Sequence, residues 1–247
     1  LTDYWPDADG DGLGFAAGFA LDLDGIDDYV NINDLAAGGQ LTNGMAFTFN
    51  TWFWADGTIK GSQIESQIFS MHTSDGGNRL RIGLDRTSGS GRIFYNDESS
   101  GYINMGNENW NDQAWHHLAI SRAAGSGSQL TKIYVDGEEI GSFTSSGPIF
   151  NEVDLVSIGQ EYDSSSPTDF WSGQLDEMMV WNYEMSQEEI QSYISTLPTG
   201  NESGLVAYYN FNEGSGNIVS DVSGNGNNGS TYNGATWIES QIGGSTI

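Results

Sequence analysis

A short acidic segment carries residue types that bind hard cations. Within residues 161–171 stand three acidic and three aromatic side chains: Glu161, Asp163, Asp169, Tyr162, Phe170 and Trp171. Calcium prefers carboxylate and main-chain carbonyl oxygens, and an exposed aromatic ring can stack on the face of a sugar. The segment is therefore either a solvated acidic turn or a calcium site with aromatic walls.

A second acidic motif, "DADGDG", begins at residue 7. Asp7, Asp9 and Asp11, followed by Gly12, copy positions 1, 3, 5 and 6 of an EF-hand loop. Position 12 of that loop would be Gly18 instead of glutamate, which excludes a complete EF-hand. The motif is either a partial calcium site or an N-terminal arm without metal.

Four of the seven basic residues lie within fourteen positions: Arg79, Arg81, Arg86 and Arg92. Guanidinium groups bind carboxylates and sulfates well, so Arg79 and Arg81 are candidates for holding an acidic sugar. The alternative is that the arginines balance Asp85 and neighbouring acidic residues.

The composition excludes several classes of function. The chain has 247 residues with 34 acidic and 7 basic ones, a formal charge of −27. Such a chain repels nucleic acid and anionic membranes, and we expect neither as a partner. Cysteine is absent, which removes disulfides, zinc–thiolate sites and cysteine nucleophiles. The first residue falls inside a motif, so we interpret the chain as a monomeric module of a longer protein.

Hydrophobic alternation predicts an all-β protein. Short stretches rich in Val, Ile, Phe, Tyr and Trp recur between Gly, Asn, Asp and Ser clusters, at 19–23, 28–32, 46–54, 66–71, 79–84, 92–95, 115–122, 131–135, 155–159, 174–182 and 205–211. This spacing is typical of a two-sheet antiparallel β-sandwich. Residues 133–143 form a hairpin with an Asp136-Gly137 turn. One short surface helix begins after Ser186, where Glu189 completes a capping box.

Five ordered motifs resemble laminin G-like jelly-roll domains of the concanavalin A-like lectin and glucanase superfamily. They are "FALDLDGIDDYVNI", "FTFNTWFWAD", "AWHHLAISRAAG", "KIYVDGEEIGS" and "GQLDEMMVWNYEMSQEEI". The resemblance implies one jelly-roll domain over residues 19–240, preceded by the Asp-rich arm, residues 1–18. The arm itself resembles the calcium repeats of thrombospondin type 3.

The block 204–237 resembles the opening of such domains, although here it stands at the end. We interpret it as a circular permutation in which the block supplies closing strands. The alternative is the start of a second, truncated domain.

The segment at 161–171 is similar to the calcium loop of pentraxins. That resemblance implies Glu161, the Tyr162 carbonyl and Asp163 as metal ligands. Asp75 and Asn78 stand where the family has its second contribution, although two glycines separate them. The loop is shorter than in pentraxins and leaves Asp169 as the remaining acidic ligand, which implies one calcium ion instead of two.

The wider superfamily implies a further, structural calcium site. Its ligands would be Asp24, the Gly25 carbonyl and Asp176. The alternative is that these residues cap a turn and the end of a strand.

The sequence lacks the features of the superfamily's glycosidases. No Glu-x-Asp-x-Glu run occurs, which retaining enzymes need to bring two carboxyl groups together. Asp176 and Glu177 are neighbours and should point to opposite faces of a strand, as should His116 and His117. We therefore expect a non-catalytic domain.

We interpret the chain as a calcium-dependent module that binds a polysaccharide or another glycan. It would belong to a secreted or cell-surface bacterial protein. The alternatives are a calcium-stiffened structural or adhesion module that binds no glycan, and a divergent polysaccharide-degrading enzyme.

Overall fold

A computed structural model describes residues 18–242, apart from 59, 61–63, 76, 88–89, 98–99, 149 and 164–165 and the side chain of Asn78. The calcium ligands predicted at Asp7, Asp9 and Asp11 lie outside this part. The strands are β1 (Phe19–Asp24), β2 (Tyr29–Asn31), β3 (Phe47–Ala55), β4 (Glu65–His72), β5 (Asn78–Asp85), β6 (Arg92–Asp97), β7 (Gly101–Met105), β8 (Trp115–Arg122), β9 (Gln129–Val135), β10 (Glu138–Ser145), β11 (Leu155–Ile158), β12 (Glu161–Asp163), β13 (Ser166–Thr168), β14 (Ser172–Trp181), β15 (Leu205–Tyr209), β16 (Ile218–Val219), β17 (Gly229–Tyr232) and β18 (Thr236–Glu239). The helices are α1 (Asp34–Ala37) and α2 (Gln187–Ser195).

Two antiparallel sheets form a sandwich, as the alternation predicted. Sheet A runs β10-β9-β8-β3-β14-β1-β18, with β15 also paired to β14. Sheet B runs β16-β17-β2-β11-β4-β5-β6-β7. The short strands β12 and β13 pair only with each other and form a separate hairpin. The outer face of each sheet is the face turned away from the other sheet.

The core lies between the sheets and is rich in aromatic side chains. Phe49 of sheet A packs against Phe69 of sheet B with ring centroids 5.0 Å apart. Alternate residues of β5, such as Leu80, Ile82 and Leu84, are buried in this core. Because side chains alternate along a strand, the residues between them stand on the outer face of sheet B.

Two local predictions are confirmed. Asp136 and Gly137 both have positive φ, at 52° and 79°, as the hairpin turn requires. Helix α2 begins with the predicted capping box: the Ser186 hydroxyl accepts from the Glu189 amide, and the Glu189 carboxylate accepts from the Ser186 amide. The sequence missed α1, β7 and the pairing of β12 with β13 within the acidic loop.

The C-terminal segment contributes strands to both sheets. Strand β15 pairs with β14 in sheet A, β17 pairs with β2 in sheet B, and β18 pairs with β1. The block at 204–237 thus extends the sheets built by the preceding residues. The domain boundaries at 19 and 240 stay a prediction.

Strand β14 contains a bulge that alters its alternation. Asp176 pairs with Trp52, but the next register pair is Met179 with Asn50, and Glu177 has a φ of 49°. Leu175 and Met178 both lie in the core between the sheets, so the bulge puts Asp176 and Glu177 together between two inward-facing residues. The Tyr208 hydroxyl donates a hydrogen bond to Glu177. The prediction that Asp176 and Glu177 point to opposite faces is therefore wrong, because the extra residue of the bulge turns Glu177. Both are buried.

No helix in the described ranges is long and apolar enough to cross a membrane.

The buried Glu177 should make stability depend on pH. Burial raises its pKa to about 7, so the folded protein keeps a proton that the unfolded chain releases near pH 4. The resulting stabilisation is complete below the unfolded pKa and is lost as pH rises through 7. Between pH 5 and 8, we expect the protein to lose about 2–3 kcal/mol of unfolding free energy relative to Glu177→Gln.

Urea unfolding of the unsubstituted protein and of Glu177→Gln across this pH range measures the difference, with a chelator present so that no bound metal contributes. The exposed Glu184→Gln variant makes the same change in charge and should follow the unsubstituted protein. Parallel pH profiles for all three proteins would contradict the assignment.

Candidate functional site

The β12–β13 hairpin lies across the outer face of sheet B. Main-chain carbonyls of its flanking residues accept hydrogen bonds from β4. The Ser70 hydroxyl donates to Gln160 O at 2.6 Å, and the main-chain N–H of Gln67 donates to Asp169 O at 2.9 Å. These bonds hold the acidic loop above the middle of the sheet.

Three carboxylates from two parts of the chain meet beneath this hairpin. Glu65, Glu161 and Asp169 bring carboxylate oxygens within 4.8 Å of one another; we call them the acid cluster. Glu65 comes from β4, and the other two from the hairpin and its end. Arg81 of β5 places Nη1 2.9 Å from Glu65 and 2.9 Å from Glu161.

The acid cluster holds more negative charge than Arg81 neutralises. Burial raises the pKa of Glu161 to about 8; Arg81 opposes this increase and Asp169 adds to it. Burial also raises the pKa of Asp169 and of Glu65. Three carboxylates facing one guanidinium require a proton or a further cation to balance them.

A buried amide oxygen stands beside the acid cluster. Gln67 is fully buried, and its Nε2 donates to Glu65 at 3.2 Å. Its Oε1 has no hydrogen-bond partner among the described residues. A buried acceptor left unpaired costs about 1–3 kcal/mol, which a ligand with a positive charge or a donor would recover.

Asp75 does not lie in this cluster, contrary to the prediction. It occupies the turn after β4, whereas Glu65 begins that strand, so the two are about 20 Å apart at the usual rise per residue. The Thr73 hydroxyl donates to the Asp75 carboxylate and lowers its pKa. Asn78 begins β5 in the same hairpin.

Asp163 lies at the exposed end of β12, outside the acid cluster. Its charge nevertheless raises the pKa of Asp169. Of the acidic residues predicted for this site, the structure therefore brings together Glu161 and Asp169 and adds Glu65.

The predicted aromatic walls are mostly buried. Trp171 is fully inaccessible, with its ring edge-on to Phe53 at 5.9 Å and the Arg86 guanidinium 5.6 Å from its centroid. Its amide donates to Gly159 O at 2.8 Å, which closes the base of the loop. Trp171 is therefore wrong as a sugar-stacking residue, because it anchors the loop in the core.

Tyr162 is also nearly buried, at 8% exposure. It packs edge-on to His72 and hydrogen-bonds Tyr29 through its side chain. This packing contradicts the predicted exposed stacking surface at Tyr162. Phe170 is half-buried.

The four clustered arginines have partners within the protein. Arg79 pairs with Glu152 at 2.7 Å, and Arg92 with Asp85 at 2.8 Å. Arg86 is buried and donates to the Thr58 carbonyl. The structure thus places Arg79 and Arg81, the predicted acidic-sugar ligands, in ion pairs.

The predicted structural calcium site, with Asp24 and Asp176 as ligands, does not assemble. In the pairing of β1 with β14, Asp24 stands opposite Ser172, four residues before Asp176, so the two aspartates are about 13 Å apart. Asp176 is buried and accepts from the Ser240 hydroxyl at 2.7 Å. Asp24 and Asp176 therefore cannot share an ion.

Asp24 instead lies close to two other aspartates in the turn between β1 and β2. The carboxylates of Asp24, Asp27 and Asp28 fall within 4.8 Å of one another. Asp24 accepts from the Ile26 amide at 2.8 Å, around Gly25 with φ 73°. Burial raises the pKa of Asp28 to about 6.

An aromatic surface adjoins the acid cluster on β6 and β7. Tyr102 stacks on Phe94 at 4.8 Å and is 38% exposed, while Arg81 lies 5.9 Å from the Phe94 centroid. Burial raises the pKa of Tyr102, and the charges of Glu65 and Asp85 raise it further.

The sequence analysis missed Glu65, Gln67 and Tyr102. The available signal was the alternation in "ESQIFS", where Glu65 and Gln67 occupy alternate strand positions.

The role of Trp171 is testable by truncation. We expect Trp171→Ala to lower the unfolding free energy by about 3–5 kcal/mol, because it leaves a large cavity in the core. Phe170→Ala, at the half-buried neighbouring position, should cost less than half as much. Urea unfolding of both variants checks this, and equal losses would show that Trp171 is not the anchor.

Comparison with known proteins places these features in a family. A model described as the concanavalin A-like lectin/glucanases superfamily matches residues 24–191. The rat protein named sushi, von Willebrand factor type A, EGF and pentraxin domain-containing protein 1 is 29% identical over 94 residues. That match covers 36% of this chain and only 3% of the rat protein.

Solved structures share the fold at low sequence identity. A Bacteroides ovatus ATCC 8483 protein assigned to carbohydrate binding has a TM-score of 0.62 and 16% identity, over 92% of this chain and 61% of its own. A heptameric SAP-like pentraxin from Limulus polyphemus has a TM-score of 0.53 and 15% identity, over 71% of this chain and 81% of its own. The CBM40 of the Ruminococcus gnavus IT-sialidase, bound to α2,3-sialyllactose, has a TM-score of 0.54 and 12% identity, over 69% of this chain and 95% of its own.

These likenesses agree with the two-sheet architecture and confirm the laminin G-like and pentraxin-like resemblance seen in the sequence. The family model covers more than half of the chain. The chain therefore belongs to the concanavalin A-like lectin/glucanases superfamily.

Proposed function

We propose that this domain binds glycans in a calcium-dependent manner through the outer face of sheet B. The observation that carries the proposal is the acid cluster with its unpaired Gln67 oxygen, immediately beside the exposed ring of Tyr102. Hard oxygen ligands and an exposed aromatic ring are the two components of a metal-assisted sugar site.

The donor set fits calcium. Glu65, Glu161 and Asp169 offer carboxylate oxygens, and Gln67 offers an amide oxygen. Calcium takes six to eight oxygen ligands of these types and tolerates irregular geometry. When bound, it would supply open coordination positions for sugar hydroxyls. The Tyr162 carbonyl and Asp163, predicted as ligands, are not needed for this smaller set.

The neighbouring surface suits a sugar ring. Tyr102 presents an aromatic face, and stacking on Phe94 fixes its orientation. Asn104 has an amide oxygen without a partner among the described residues, while its Nδ2 donates to Asp85 at 2.8 Å. Aromatic faces with a few planar polar groups are typical of small-ligand sites. The carbohydrate-binding assignment of the Bacteroides relative and the sialyllactose complex of CBM40 support the same class of ligand.

We infer a non-catalytic module of a secreted or cell-surface protein. Millimolar extracellular calcium would suit a site of modest affinity, such as one that already contains a guanidinium. The net charge of −27 also agrees with a polysaccharide ligand better than with nucleic acid.

Glycan binding is tested with a matched pair of tyrosines. Tyr102 and Tyr232 are both exposed and both stacked, but Tyr232 stacks on Tyr29 and lies on β17, four strands from Arg81 in sheet B. On a glycan array and in affinity gels of neutral and acidic polysaccharides, we expect Tyr102→Ala to weaken binding about tenfold or more, which corresponds to the loss of one good contact. Tyr232→Ala should bind like the unsubstituted protein. Equal binding by both variants would place the ligand elsewhere.

The role of calcium is tested on the same glycan. We expect binding to disappear in EDTA and to return with added calcium. Asp169→Asn, which removes one carboxylate without changing size, should require more calcium for half-maximal binding. Glycan binding that persists in EDTA would refute the metal mechanism while leaving the Tyr102 surface intact.

A further inference from the structure

One guanidinium nitrogen contacts two of the three carboxylates of the acid cluster. Arg81 Nη1 lies 2.9 Å from a Glu65 oxygen and 2.9 Å from a Glu161 oxygen. The Arg81 side chain is only 12% exposed, so this contact is largely shielded from water. A charged pair in such surroundings is screened much less than a surface pair.

The same position would suit a metal ion. The carboxylate oxygens of Glu65 and Glu161 lie within 4.8 Å of each other, and calcium binds oxygen at about 2.3–2.6 Å. A cation that bridged both carboxylates would therefore occupy the space taken by Arg81 Nη1. The guanidinium and the metal cannot both fill it.

The site nevertheless retains features that call for a second cation. Arg81 balances one of the three carboxyl groups, and the proton in the hydrogen bond between Glu161 and Asp169 balances a second, which leaves one negative charge. The buried Gln67 Oε1 also lacks a partner among the described residues. Arg81 donates no hydrogen bond to this oxygen. A divalent ion would compensate the remaining charge and bind the free oxygen.

We propose that Arg81 is the resident counter-ion of the acid cluster and competes with calcium for Glu65 and Glu161. Binding of the metal displaces the guanidinium from both carboxylates. The Phe94 ring, 5.9 Å from the Arg81 guanidinium, keeps the released group on the outer face of sheet B. This inference rests on the proposed calcium site and adds the residue that sets its affinity.

The competing explanation is that Arg81 positions the carboxylates for the metal. The two explanations predict effects of opposite sign. A positioning residue lowers calcium affinity when it is removed, because the carboxylates repel each other and separate. A competitor raises the affinity when it is removed, because the metal no longer has to break two short ion pairs.

Calorimetric titration with calcium chloride in 0.15 M salt distinguishes them. Arg81→Gln removes the charge and keeps most of the side chain. Arg92→Gln is the matched control, since Arg92 lies on the neighbouring strand, pairs with Asp85 and carries the same charge. Circular dichroism checks that each variant is folded. Arg81→Lys keeps the charge but replaces the fork-shaped donor by a single ammonium.

We expect Arg81→Gln to lower the calcium Kd about tenfold or more relative to the unsubstituted protein. The Kd of Arg81→Lys should fall between these two values. Arg92→Gln should lower the Kd by much less than Arg81→Gln, because Arg92 pairs with Asp85, opposite Glu65 in the register, and contacts no carboxylate of the acid cluster. An unchanged or raised Kd in Arg81→Gln would overturn the competition. A decrease of equal size in Arg92→Gln would also overturn it, by showing a general charge effect.

The unsubstituted protein separates this inference from the proposed function. If it binds calcium and Arg81→Gln binds no tighter, the competition is refuted and the calcium site stands. If only Arg81→Gln binds calcium, the competition is supported and calcium dependence of the natural chain is refuted. If no variant binds calcium, both are refuted, and glycan binding is decided by the Tyr102 experiment alone.

Discussion

Residues 159–171 carry the chain from β11 in sheet B to β14 in sheet A, and burial of Trp171 holds this connection in place. The Trp171 and Gly159 amides both donate to main-chain carbonyls, so the loop closes at its base while the ring fills the core. The hairpin above it must then lie on the outer face of β4. The position of every loop residue in the candidate site follows from that closure.

Alternation within the short strand β12 divides the surface beneath it. Glu161 points toward β5 and contacts Arg81, whereas Tyr162 reaches Tyr29 on β2. One side of the hairpin is therefore ionic and the other aromatic. The aromatic side is packed and contributes stability, and the ionic side keeps an uncompensated charge. This division explains why an acidic loop with three aromatic residues yields a site from only part of its side chains.

Local sequence patterns predicted local structure well. The alternation of β5, the Asp136-Gly137 turn and the Ser186 capping box each depend on residues close in the chain, and each is confirmed. Which residues lie together in a site depends on strand register, and the sequence patterns do not specify that register. Asp24 and Asp176 are both acidic strand residues, but pairing with Ser172 separates them.

Two further failures have the same origin. A single extra residue at Glu177 reverses the facing expected from alternation, and a bulge leaves no sequence mark of its own. Glu65 and Gln67 were overlooked because they precede the acidic loop by about a hundred residues, and only the hairpin's return across β4 brings them to it. The burial of Trp171 was likewise decided by tertiary packing.

Arg81 has a consequence for how the domain reaches its folded state. Structural zinc domains are unfolded without metal, because their ligands repel each other and come together only when the ion compensates that repulsion. Here the polypeptide brings its own cation to Glu65 and Glu161, on a strand already fixed by pairing with β4 and β6. If the domain binds calcium as proposed, its folding would not depend on the metal. The chain could then fold where calcium is scarce and already hold both carboxylates in place when it meets the ion.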